Sequence, residues 1–153
     1  MEPGRFSFDE LLDAFRRQEF FLEYLPTMRL SDGHCVGAEA LIRWRRGDRI
    51  VPPMDFIPLI ENTPLSGLIT YRVGELVGRE LGPWLRKQED IQIGINVTTE
   101  TLGRGSLSAA CLTFGLGDIL DKLMVEINER GLPDLLAMKA LKLATSKSEN
   151  RRR

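Results

Sequence analysis

Three polar residues set in apolar segments carry the chemistry of this chain: Glu39 within Cys35 to Trp44, Asn96 within Ile91 to Val97, and Glu126 within Leu123 to Asn128. Two carboxylates and an amide oxygen are hard donors. Such a set suits Mg2+, Mn2+ or Ca2+, whereas the sequence has no thiol and imidazole pattern of the kind zinc takes. Arg43 lies four residues after Glu39, so on a strand the two share a face with Leu41 between them. A guanidinium in that place can meet a phosphate beside a cation.

Each residue also has a structural reading. Glu39 can be a partly exposed strand-end acid, Asn96 can cap the next helix, and Glu126 can form an ion pair with Arg43 that needs no metal. His34 beside a turn reads as a solvated loop residue, Asp118 and Asp121 as an exposed helix face, and Arg151 to Arg153 as a solvated tail. Pattern alone leaves these alternatives open.

The elements that must position the three residues follow from periodicity. Ser7 and Glu10 have the spacing of a capping box, which predicts a helix over Asp9 to Gln18. Phe20 to Leu30 and Cys35 to Trp44 read as strands joined by the turn residues Ser31-Asp32-Gly33, an opening β-hairpin. Arg45 to Pro53 reads as a polar connection broken by Gly47-Asp48 and Pro52-Pro53, followed by a short helix near Asp55 to Glu61. From Pro64, the residues Leu65, Leu68, Ile69, Val73, Leu76, Val77 and Leu81 recur at three- and four-residue steps on one helix face. Ile91 to Val97 alternates strictly, with the isoleucines and Val97 on one side and Gln92, Gly94 and Asn96 on the other. Thr99 to Leu102 and Leu107 to Lys122 read as helical, with breaks at Gly115 and Gly117. A fourth strand over Leu123 to Asn128 and a helix over Leu132 to Leu143 complete the pattern.

Alternation of helix and strand predicts an α/β domain with parallel β/α units. If the apolar strand faces meet the helices, Glu39, Asn96 and Glu126 all turn to the inside, late in their strands. In β/α barrels that end is where side chains from several strands converge on a ligand.

Composition narrows the function classes. With 21 basic and 22 acidic residues in 153, the net charge of −1 gives no field that would favour a nucleic acid polymer or an anionic membrane. Cys35 and Cys111 are only two, without metal-ligand spacing, and read as buried thiols in a reducing cytoplasm. The N-terminus lacks a signal-peptide pattern, and no apolar run approaches the roughly 20 residues of a membrane span.

Taken together, these residues resemble the EAL domain family, the cyclic-di-GMP phosphodiesterases of bacterial signalling, over about Phe8 to Asp134. Phe21-Leu22-Glu23-Tyr24-Leu25-Pro26 is similar to the family's opening strand, and Gly37-Ala38-Glu39-Ala40-Leu41-Ile42-Arg43-Trp44 to its signature. Pro53 to Glu61 resembles the helix start that follows, Ile95-Asn96-Val97-Thr98 the Asn-x-Ser strand, and Val125-Glu126-Ile127-Asn128-Glu129 the Glu-x-Thr-Glu strand. One such motif is weak; five in the family's order are specific.

The resemblance implies a modified, TIM-like β/α barrel whose first strand is antiparallel to the others. It implies Glu39, Asn96 and Glu126 as ligands of Mg2+ or Mn2+, Arg43 and Leu41 as substrate-binding residues, and hydrolysis of cyclic-di-GMP to pGpG. Departures accompany it. Leu25 stands where the family has Gln, Thr98 replaces Ser, and Asn128 replaces Thr. The Asp-Asp-Phe-Gly segment and the later Lys, Glu and Gln of the family do not occur in the sequence. A whole barrel takes about 250 residues, so the expectation is a truncated EAL domain over 1–144, about half a barrel, with a polar tail over 145–153. No catalytic set is complete in it. Ligand binding, self-association or contact with another protein are the roles expected, and hydrolysis if the missing groups come from a partner chain or a longer parent.

Overall fold

Ser7 opens the first helix through the reciprocal contacts its spacing predicts: its Oγ accepts from Glu10 N at 3.2 Å, and Glu10 Oε2 accepts from Ser7 N at 2.8 Å. The computed structural model describes residues 6–127. In it helix α1 (Phe8–Arg16) is followed by strands β1 (Phe20–Met28) and β2 (Cys35–Arg46), which pair antiparallel. Their turn works as read: Gly33 has φ of 70°, and Asp32 Oδ1 accepts from His34 N at 3.0 Å.

The segment expected as a polar connection after Trp44 is instead a second hairpin. Strand β2 continues to Arg46 and pairs antiparallel with β3 (Arg49–Val51) across the two-residue turn Gly47-Asp48, where Gly47 has φ of 59°. A glycine at the first turn position is the chemistry such tight hairpins need. The charges of Arg45, Arg46 and Arg49 mask the strand, and only Val51 of β3 is buried.

Helices α2 (Pro53–Ile60) and α3 (Pro64–Leu85) then cross to β4 (Gln92–Val97), which pairs parallel with β2. The apolar stripe that reads as ending at Leu81 runs on as helix to Leu85, with Pro83 inside the last turn. After β4 come α4 (Thr99–Gly103) and α5 (Ser106–Thr113), and β5 (Leu123–Ile127) pairs parallel with β4. The single helical region read over Leu107 to Lys122 is therefore shorter. It stops at Thr113, Gly115 follows with φ of 65°, and only a 3-10 turn at Leu120–Lys122 resumes. Asp118 and Asp121 thus lie in turns rather than on a helix face, though both are exposed. The sheet order is β1-β2-β4-β5, an α/β arrangement with its first strand antiparallel and the next two pairings parallel.

One face of the sheet is packed. Ala40, Ile93, Ile95 and Val97 meet Val73, Leu76 and Val77 of α3 and Leu107 and Cys111 of α5 in one core cluster. Each such side chain, fully buried, contributes about 1.5–3 kcal/mol of hydrophobic free energy. Gly74 lets α5 approach closely, since a Cβ there would stand 2.6 Å from Ala110 Cβ. A second cluster joins α1, α2 and the start of α3 around the rings of Phe6, Phe20, Trp44 and Phe56. Of the two thiols expected to be buried, only Cys111 is; Cys35 is exposed at the start of β2. Burial pushes the Cys111 thiol up from its ordinary range. The helix expected over Leu132 to Leu143 and the polar tail lie outside the described residues.

Candidate functional site

Period-two geometry places Glu39 and Arg43 of β2, Asn96 of β4 and Glu126 of β5 on the sheet face opposite the helices. That face is open. Asn96 is exposed, while Glu39, Leu41, Arg43 and Glu126 are half-buried.

Register brings the three metal-ligand candidates together around one residue, Gly94. Gly94 is the pairing partner of Glu39 across β2 and β4, and Asn96 is the partner of Glu126 across β4 and β5. Asn96 Nδ2 donates to Glu39 Oε1 at 2.6 Å. A Cβ on Gly94 would stand 2.4 Å from Glu126 Oε1 and 3.3 Å from its carboxyl carbon, so the Glu126 carboxylate lies over the bare backbone of β4. Sequence reading counts Gly94 only as a small member of the polar face. The signal for its role is its place two residues before Asn96 on an otherwise isoleucine-lined strand.

Arg43 is not the partner of Glu126. Its Nε donates to Glu23 Oε2 on β1 at 2.7 Å, and one terminal nitrogen donates to Ile42 O at 3.0 Å. The cross-mouth ion pair of the structural reading is thereby replaced by a pair along the β1–β2 hairpin. Among the described residues no arginine or lysine pairs with Glu39 or Glu126. Where two carboxylates approach each other, a cation bound between them offsets their like charge. No three His, Cys, Asp or Glu side chains cluster as a metal site among the described residues, so any cation here relies on the amide of Asn96 as third donor.

Apolar side chains flank this polar set. Leu25 pairs directly opposite Glu39 and is 57% exposed, and Met124 of β5 pairs opposite Gly94 and is 46% exposed. Leu41 pairs opposite Glu23, the residue that holds Arg43. Leu25, read as a departure at the opening strand, thus lies on the site face itself. His34 is exposed in the β1–β2 turn, away from any such cluster.

The family model for the EAL domain matches residues 9–146. This chain belongs to the EAL domain family. Its α/β fold is that of the TIM-like EAL barrel over part of the barrel's length. The chain is 37% identical over 93 residues to the probable cyclic di-GMP phosphodiesterase PdeB of Escherichia coli K12, a match covering 60% of the chain and 18% of PdeB. The solved PaMucR phosphodiesterase in complex with c-di-GMP superposes with a TM-score of 0.76 at 25% identity, over 90% of the chain and 58% of that structure. The Bacillus subtilis YkuI protein, with an EAL domain and in complex with c-di-GMP and calcium, superposes with a TM-score of 0.64 at 16% identity, a likeness of fold. That match covers 95% of the chain and 36% of YkuI. The chain therefore spans less than a fifth of this curated relative and between about a third and three-fifths of these structures. No helix of the described residues is long and apolar enough to cross a membrane.

Proposed function

We propose that this chain is a cytoplasmic EAL-domain module of bacterial cyclic-di-GMP signalling that holds a divalent cation and engages the dinucleotide. The observation that carries this reading is the convergence of Glu39, Asn96 and Glu126 on Gly94, at one open sheet face. The donor set fits Mg2+ or Mn2+: two carboxylates supply charge, and no described residue donates to Asn96 Oδ1 while Nδ2 holds Glu39. A cation bound there supplies positive charge to a phosphodiester oxygen. Arg43 adds a second positive group, oriented by Glu23 at 2.7 Å; that ion pair is partly exposed and costs little to open for a phosphate. Leu41 sits between Glu39 and Arg43 as an apolar contact for the ligand.

Hydrolysis is a separate matter. In the family resemblance that step uses an Asp-Asp-Phe-Gly segment and a following Lys, neither of which occurs in these 153 residues. A second reading, an interaction module, is favoured by the exposure of Leu25 and Met124 on the open face and by the edge of β5 that no described strand pairs. In that reading the partner is a second copy or another protein.

The deciding experiment incubates the purified chain with cyclic-di-GMP and Mn2+ or Mg2+, following binding by calorimetry and pGpG by chromatography. Binding that weakens at least about tenfold in Glu39→Ala, equivalent to about 1.4 kcal/mol, is the expected result. Accumulation of pGpG that Glu39→Ala abolishes adds turnover to the same site. Absence of binding at saturating cation leaves the interaction module.

A further inference from the structure

Asn96 is the next-to-last residue of β4, and its amide reaches Glu39 from a strand end that needs an anchor. The anchor lies on the other side of the sheet. Thr98, one residue past the strand, is the N-cap of α4: its Oγ1 accepts from Thr101 N at 3.2 Å, and its carbonyl accepts from Leu102 N at 3.0 Å. A five-residue helix has almost no stability of its own, so this cap holds only if α4 is fixed from outside.

Thr101 supplies that fixing. Its side chain is 1% exposed, and its Oγ1 lies 2.7 Å from Thr98 Oγ1 and 2.8 Å from Ser66 Oγ on α3, which is itself buried. The three hydroxyls form one chain, and two protons bridge its two oxygen contacts in either direction. Thr70 takes no part, since its hydroxyl donates to Ser66 O within α3 at 3.0 Å. Among the described residues Thr101 Oγ1 is the one side-chain partner of the buried Ser66 hydroxyl, so removing it strands Ser66 Oγ. The long helix α3 is thereby tied, through two side chains, to the residue that ends the Asn96 strand.

We infer that Thr101 is a positioning residue for the site: through Thr98 it fixes the end of β4 and so holds the Asn96 amide against Glu39. The inference rests on the proposed function only for its cation arm. Thr101→Val keeps the branched shape and removes the hydroxyl, while Thr101→Ser keeps the hydroxyl and removes the methyl.

The test reads the Asn96 side-chain amide by 15N NMR, together with thermal unfolding and Mn2+ affinity by calorimetry. In Thr101→Val the Asn96 amide protons exchange with water about tenfold faster than in the parent, as expected for one lost hydrogen bond, and Thr101→Ser restores the parent rate. Mn2+ affinity falls by a similar factor in the valine variant alone. An unchanged Asn96 amide in a folded Thr101→Val protein of lower melting temperature overturns the inference, because the hydroxyls then only hold α4 to α3. Should the valine variant not fold, Ser66→Ala cuts the chain at its far end and is read in the same way, with a smaller change in the same direction. A parent that binds no Mn2+ removes the proposed function, and the amide exchange still decides the role of Thr101.

Discussion

The two faces of the sheet obey different rules. Against the helices, Ile93, Ile95 and Val97 are no more than 2% exposed, and even the polar Tyr24 is tied down, its hydroxyl donating to Glu80 Oε2 at 2.8 Å. Burial and the Glu80 carboxylate both push the Tyr24 phenol up from its ordinary range. On the other face, the same sheet exposes Asn96, Leu25 and Met124 and holds two carboxylates without a counter-charge among the described residues. One face is arranged for its own packing. The other leaves polar and apolar side chains uncovered by any described element, and substitutions should separate the two by what they damage.

Trp44→Ala should have the largest effect. The indole is 1% exposed, with the Phe6 ring 4.8 Å and the Phe20 and Phe56 rings 6.1 Å away, and its Nε1 donates to Glu19 Oε2 at 2.9 Å. Losing it should cost about 3–5 kcal/mol by urea denaturation followed by circular dichroism. A loss below about 1 kcal/mol would mean that the aromatic cluster collapses around the gap and that this side is softer than its burial implies.

Gly37→Ala tests the boundary between the faces. Gly37 has the parity of Glu39 yet is buried, and a Cβ there would stand 2.2 Å from the backbone oxygen of Gln92 on β4. A backbone atom in a paired strand cannot swing aside, so the variant should lose about 2 kcal/mol, within the usual range for overpacking. Here an open-face position should behave like core. Gly94→Ala gives the contrast: the obstruction is the end of the flexible Glu126 side chain, so folding should hold while the carboxylate is displaced.

How much of this was legible in the sequence divides along the same line. The packed face is written in hydropathy: the three-and-four spacing from Leu65 gives the start of α3, which runs past Leu81 to Leu85, and the alternation of Ile91 to Val97 gives β4 almost to the residue. Antiparallel β1 and β2 follow from turn chemistry at Asp32 and Gly33. The β2–β3 hairpin escapes because a three-residue edge strand bearing Arg49 buries only Val51, too little to leave a periodic signal; Gly47-Asp48 was its one mark. On the open face the residue types Glu39, Asn96 and Glu126 were legible as hard donors, but their meeting point was not. It depends on parallel register, which sets Glu39 beside Gly94, and on a missing Cβ. The Arg43 partner is hidden for the same reason, since only the hairpin register brings Glu23 to it.

Glu126→Gln should sharpen the contrast from the other direction. The amide keeps the shape that lies over Gly94, so unfolding free energy should stay within about 0.5 kcal/mol of the parent. Mn2+ affinity measured by calorimetry should fall about tenfold with the lost charge. A stability loss as large as that of Gly37→Ala would show that Glu126 is a structural group, and the division between the faces would fail there.

The smallest effect belongs to a pair on neither face. Arg86 at the end of α3 donates to Asp118 through Nε at 2.7 Å and through a terminal nitrogen at 3.1 Å, and also to Gly115 O at 2.6 Å, bracing the loop that leads into β5. The Arg86 hydrogen bonds hold the Asp118 carboxyl below its usual range. A folded-state pKa below the unfolded one means the contribution is present above the unfolded value, about 3.9, and is lost as pH falls through the folded value. The melting temperature of Asp118→Asn should therefore lie slightly below that of the parent at pH 7, and the two should converge as acid protonates Asp118. Both groups are exposed, so added salt at pH 7 should narrow the gap as well. A gap that persists in acid would assign the effect to the hydrogen bonds that Asp118 accepts from Arg86 rather than to its charge.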